Sequence, residues 1–89
     1  MTRRTVRVVN DLGLHLRAAA RIVQVTTPAP CPVWISLGGT TIDAKSLLGI
    51  TSLLAHKGTE LVVSASGRGE EVVVDQLAAL IESGFSDLS

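Results

Sequence analysis

Aromatic side chains are almost missing from this chain, which has one Trp, one Phe and no Tyr. Its core must therefore be built from Val, Leu, Ile and Ala, which an apolar fraction of 46% amply supplies. Neither sign of charge predominates, with eight Lys and Arg against eight Asp and Glu. That balance argues against a nucleic-acid binder, which shows a basic excess or stripe. One cysteine, Cys31, excludes an intramolecular disulfide and fits a reducing compartment. No apolar run reaches the length of a membrane span, so no membrane insertion is expected. The basic start Met1-Thr2-Arg3-Arg4 leads into a strand and not into the apolar stretch of a signal peptide. The expected address is the cytoplasm. Two histidines and one cysteine without ligand spacing give no metal site, and no cofactor is implied.

Eighty-nine residues bound the chain to one small domain, residues 1–89. Thr5 to Val9 reads as a strand with Val6 and Val8 on one face. Asn10 to Leu14 is a loop. From Leu16 to Thr27, the residues Ala19, Ile22, Val23 and Thr26 recur at helical spacing, and Pro28 ends that helix. Val33, Ile35 and Leu37 alternate with Trp34 and Ser36, and Gly38-Gly39 marks a hairpin to a return strand, Thr40 to Asp43. Ser46 to Leu53 reads as a short helix. Leu61, Val63 and Ala65 give a last strand. Val73, Leu77, Leu80 and Ile81 form the stripe of a final helix whose first turn holds Glu70 and Glu71. Cys31 is expected to start a strand partly buried, and the residues after Gly84 to fray. Each helix has one apolar stripe and each strand one apolar face. The economical packing is an α+β arrangement, one sheet with the helices on one side.

Gly13-Leu14-His15-Leu16-Arg17 carries the chemistry. A helix start offers free backbone N–H groups and a partial positive charge, which suit phosphate. The same field disfavours imidazolium, so the His15 ring stays neutral and nucleophilic. Arg17 adds a planar cation suited to phosphate. A lone histidine near a helix start is more often a cap or a surface residue, and Arg17 taken alone reads as a solvated helix residue. Gly67-Arg68-Gly69 is no phosphate loop, because Glu70 and Glu71 follow it. Asp11 is left without a role, and His56 reads as a surface residue.

The segment resembles the active-site signature of HPr, the histidine phosphocarrier of the phosphoenolpyruvate:sugar phosphotransferase system, close to Gly-x-His-Ala-Arg-Pro-Ala. Leu16 stands for the common Ala and Ala18 for the common Pro. Lys45-Ser46-Leu47-Leu48-Gly49-Ile50-Thr51-Ser52-Leu53 is similar to the family's regulatory serine segment. The resemblance covers nearly the whole chain, and the β-α-β-β-α-β-α order is also that of HPr. It implies an open-faced sandwich, with four antiparallel strands and three helices on one face. It implies that His15 takes a phosphoryl group on Nδ1 from enzyme I and passes it to an EIIA domain. Arg17 and the backbone N–H groups of Leu16 and Arg17 would stabilise that group. Proline at position 18 would preset the first helical turn; Ala18 keeps an N–H and offers one more donor.

Ser46 is a natural N-cap, which alone accounts for it. The resemblance adds a regulatory role as a substrate of HPr kinase/phosphorylase. It also implies a docking face formed by Leu14, Leu16, Arg21, Leu47, Leu48 and Thr51, although Arg21 is equally a solvated residue. Leu47 and Leu48 lie on the short helix itself, where at least one of them is expected in the core. Transcriptional regulators are further partners by resemblance, and a monomer is expected. Two other functions follow from the same residues. One is a carrier in a regulatory, nitrogen-type phosphorelay without sugar transport. The other is a binding module that uses Ser46 and does not need His15.

Overall fold

In the computed structural model, which describes residues 1–86 and 88, the order is strand, helix, strand, strand, helix, strand, helix. These are β1 (Thr2–Arg7), α1 (Leu16–Thr26), β2 (Val33–Leu37), β3 (Thr40–Asp43), α2 (Leu47–Ser52), β4 (Glu60–Ala65) and α3 (Glu70–Glu82). The four strands form one antiparallel sheet in the order β1-β4-β2-β3. The α+β class, the element order and the open-faced sheet are as expected. The Gly38-Gly39 hairpin is also as expected, with Leu37 paired to Thr40.

β1 begins earlier than its pattern suggested. Arg3 and Arg4 are not strand-like by composition, yet pairing with β4 runs in unbroken register from Thr2↔Ala65 to Arg7↔Glu60. The partner strand overrides local preference. Val8 lies beyond the strand but continues the ladder. Its N–H donates to the Thr59 C=O (2.9 Å), and its C=O accepts from the Gly58 N–H (2.7 Å).

α3 lies on β1 and β4, and α1 packs beside α2 and α3. The core between them is aliphatic, with Val6, Val8, Ile22, Ile35, Leu61, Leu77 and Ile81 all at 2% exposure or less. Cys31 is buried within this core at 4% exposure, deeper than expected. Arg3, Thr5, Trp34, Ser36, Thr41 and Ser64 share the other sheet face by strand register.

Gly84 and Phe85 are held in place, against the fraying expected after Gly84; residues 87 and 89 lie outside the described residues. Gly84 takes φ +70, its N–H donates to the Ile81 C=O (3.1 Å), and the Phe85 N–H donates to the Leu80 C=O (3.0 Å). This is a Schellman ending, and it turns the Phe85 side chain back into the core at 0% exposure. The one phenylalanine is thus among the largest fully buried side chains.

Candidate functional site

His15 is the N-cap of α1, in extended geometry (φ −70, ψ 177), and its side chain caps nothing. The first helical bond runs from the Ala19 N–H to the His15 C=O (2.9 Å). The N–H groups of Leu16, Arg17 and Ala18 come before that bond and have no intrahelical acceptor. No acidic residue stands in the first turn to neutralise the positive helix end. Leu16 is 62% exposed, and Arg17 is exposed with no hydrogen bond or ion pair among the described residues. Ala18 is fully buried, so its N–H is covered, and the extra donor expected at this position is not on the surface.

The His15 ring is half-buried, and Nε2 is buried with no hydrogen-bond partner. Nδ1 makes no hydrogen bond among the described residues.

The loop before His15 is anchored underneath. Asn10 to Gly13 close a turn through the Gly13 N–H and the Asn10 C=O (3.2 Å). Gly13 adopts φ +65, and a Cβ there would lie 2.2 Å from the Ala55 C=O oxygen. Only glycine fits. Leu14 was expected on the docking face but is 3% exposed and part of the core. Its apolar side chain is the loop's anchor and cannot touch a partner.

Residues 2–83 match the protein family described as PTS HPr component phosphorylation site. The chain belongs to the HPr family. It is 34% identical over 87 residues to the phosphocarrier protein HPr of Cupriavidus necator, 98% of each chain being covered. Among solved structures it is similar to HPr-C-His of Thermoanaerobacter tengcongensis (TM-score 0.94, 35% identity, 100% of both chains). It is also similar to the HPr dimer of that organism (TM-score 0.75, 36% identity, 96% of this chain and 98% of that one). The chain is accordingly a phosphocarrier of the phosphotransferase system.

The HPr segment around Ser46 folds as a cap. Ser46 Oγ accepts from the Gly49 N–H (3.0 Å) and its C=O accepts from the Ile50 N–H (3.0 Å). Neither neighbouring leucine is in the core, contrary to expectation. Leu47 is 37% and Leu48 80% exposed, while Ile50 is the helix's buried residue. The stripe is short because α2 has only six residues. Thr51 is half-buried and its hydroxyl donates to the C=O groups of Leu47 (3.2 Å) and Leu48 (3.1 Å).

Two exposed leucines escaped the sequence reading: Leu12 at 65% and Leu54 at 73%. The Leu14 N–H donates to the Ala55 C=O (3.0 Å), which sets their chain segments side by side. Leu54 has φ +53, a conformation no local sequence signal announces. Arg21 is half-buried, and its Nη1 donates to the Phe85 C=O (3.3 Å) on the C-terminal turn.

The remaining polar groups serve the fold. Gly67 donates its N–H to Glu70 Oε1 (3.0 Å), which closes the glycine loop as a helix start. Glu70 Oε2 accepts from Thr2 Oγ1 (2.6 Å) and lies 3.2 Å from the Met1 ammonium. The Thr2 and Gly67 hydrogen bonds, with the ammonium, lower the Glu70 pKa from 4.5 to about 2. Asp11 pairs with Lys57 (3.1 Å), both exposed, and His56 is exposed. Among the described residues, no three His, Cys, Asp or Glu side chains come together as metal ligands, and no helix is long and apolar enough to cross a membrane.

Proposed function

We propose that His15 is the phosphoryl acceptor of this phosphocarrier. The observation that carries it is the His15 ring, with Nε2 buried and unpartnered, at a helix end of open N–H groups and no acidic neighbour. With a proton on Nε2, the ring presents its lone pair on Nδ1. That pair attacks the phosphorus of the donor and a P–Nδ1 bond forms. The bond from phosphorus to the donor breaks, and the donor atom keeps its electrons. The N–H groups of Leu16 and Arg17 hold the phosphoryl oxygens, and the unpaired Arg17 guanidinium supplies charge. The reverse sequence hands the group on. No base is required, because the attacking nitrogen carries no proton.

Enzyme I is the donor and an EIIA domain the acceptor, in the cytoplasm. Leu16, Leu47, Leu48 and Thr51 form the docking face, an apolar surface rimmed by polar groups as transient contacts need. Ser46 is a regulatory site for HPr kinase/phosphorylase. A phosphate there keeps acceptor oxygens near the Gly49 N–H and adds charge beside the docking face, which repels an acidic partner. The chain acts as a single domain and as a monomer. Sedimentation at working concentration checks the latter against the dimeric T. tengcongensis relative.

The test uses cognate enzyme I, magnesium and labelled phosphoenolpyruvate on wild type and His15→Ala. Acid-labile, base-stable label on wild type that is absent from the variant is the expected result. Label retained by His15→Ala, or none on wild type with active enzyme I, overturns the assignment.

A further inference from the structure

The peptide plane of Gly13 and Leu14 lies one plane before the Leu14–His15 peptide, and it is held at both ends. Its C=O accepts from Asn10 Nδ2 at 2.8 Å. Its N–H donates to the Ala55 C=O at 3.0 Å. A peptide unit is rigid, so two hydrogen bonds on opposite ends fix its orientation. The holding group at the first end is a side chain, and it is buried: Asn10 is 5% exposed. Asn10 is also one of only three buried polar residues, with Thr26 and Ser64, among those described. A buried carboxamide is costly unless it is hydrogen-bonded, and here the donor goes to the turn that carries the site. Gly13 cannot move toward the segment between α2 and β4 to compensate, because the Ala55 C=O occupies the space where a Cβ would stand.

We propose that Asn10 is a positioning residue for phosphoryl acceptance. With the Ala55 C=O it fixes the Gly13–Leu14 peptide, and so sets the direction in which the His15 ring leaves the start of α1. Asn10 touches no reacting atom. It acts through Gly13, and the proposal rests on His15 being the acceptor. Nucleophilic attack depends on alignment, and a displacement of about 1 Å is worth up to a factor of about 100 in rate.

Asn10→Asp keeps the shape and replaces the donating nitrogen with an oxygen that repels the Gly13 C=O; Asn10→Ala removes the group. Val63→Ala, in the middle of β4, serves as a destabilised control away from the loop. Phosphoryl acceptance from phosphorylated enzyme I is measured for each. The expected result for both Asn10 variants is a kcat lower by about tenfold, with KM for the carrier changed by less than about twofold, since Leu16 and Leu48 are untouched. Val63→Ala keeps the wild-type kcat.

In the unphosphorylated protein, the backbone amide shifts of Leu14 to Arg17 move in the Asn10 variants and not in the control. Wild-type kcat and unmoved shifts in Asn10→Asp overturn the proposal. If neither variant folds, a scalar coupling across the Asn10 Nδ2 to Gly13 C=O bond in the wild type decides, and its absence overturns it. Failure of wild type to take label sinks the His15 assignment instead, while the amide shifts still judge Asn10.

Discussion

Thr26 Oγ1 donates to the C=O of Ala44 at 2.7 Å, and both residues are fully buried. The bond ties the last turn of α1 to the turn before Ser46. Lys45 Nζ reinforces it by donating to the Ala29 C=O (2.8 Å). The helix that begins at His15 and the helix that begins at Ser46 are thus joined at a second point, away from the Leu14–Ala55 bond.

Thr26→Val keeps the shape and removes the donor, leaving a buried C=O without this partner. A loss of about 1–3 kcal/mol is expected from urea unfolding, with the midpoint lowered and the slope unchanged. Phosphoryl acceptance on His15 persists, since the site's own anchors at Asn10 and Ala55 remain.

Ser46→Ala removes the acceptor for the Gly49 N–H. The expected loss is about 1 kcal/mol, typical of an N-cap. Label from enzyme I should still reach His15. A variant that unfolds, or that takes no label, would mean the cap has a larger task than closing α2.

Phe85→Ala empties a fully buried site, and a loss of about 3–5 kcal/mol is expected in thermal or urea unfolding. An unchanged melting temperature would show that the Schellman turn does not seat this ring in solution.

Glu70 gives the protein an acid dependence. Its folded pKa, about 2, lies below the ordinary 4.5, so ionised Glu70 favours the folded state above about pH 4.5. That contribution fades as pH falls from 4.5 toward 2. Glu70→Gln should melt lower than wild type near neutrality, and the gap should close through that acid range. A gap that stays constant with pH would remove Thr2 and Gly67 as the cause.

The periodic elements were legible in the sequence because burial and period agree in them. Val33, Ile35 and Leu37 alternate on β2, and α1 carries Ala19, Ile22 and Thr26 on its inner face. The start of β1 was not legible, because Arg3 and Arg4 are strand residues only through β4. Phe85 was missed although its signal was present: a glycine after the last apolar helix residue, then an aromatic. The placement of His15 and Arg17 at the start of α1 was readable from the apolar stripe that follows them. Leu14 was misplaced because loop burial leaves no periodic trace. Asn10 carried no signal of its own, since its use depends on where Gly13 and Ala55 meet.

The pairing of β1 with β4 has a consequence for biosynthesis. Thr2 finds Ala65, and the Leu14 amide finds Ala55, only across long stretches of intervening chain. Contacts of such wide sequence separation close late. A nascent chain leaving the ribosome therefore carries residues 8–15 as a loose tether until residues 55–65 have been translated. The histidine emerges early and becomes competent late, so truncated translation products hold the complete phosphorylation motif without the scaffold that aims it.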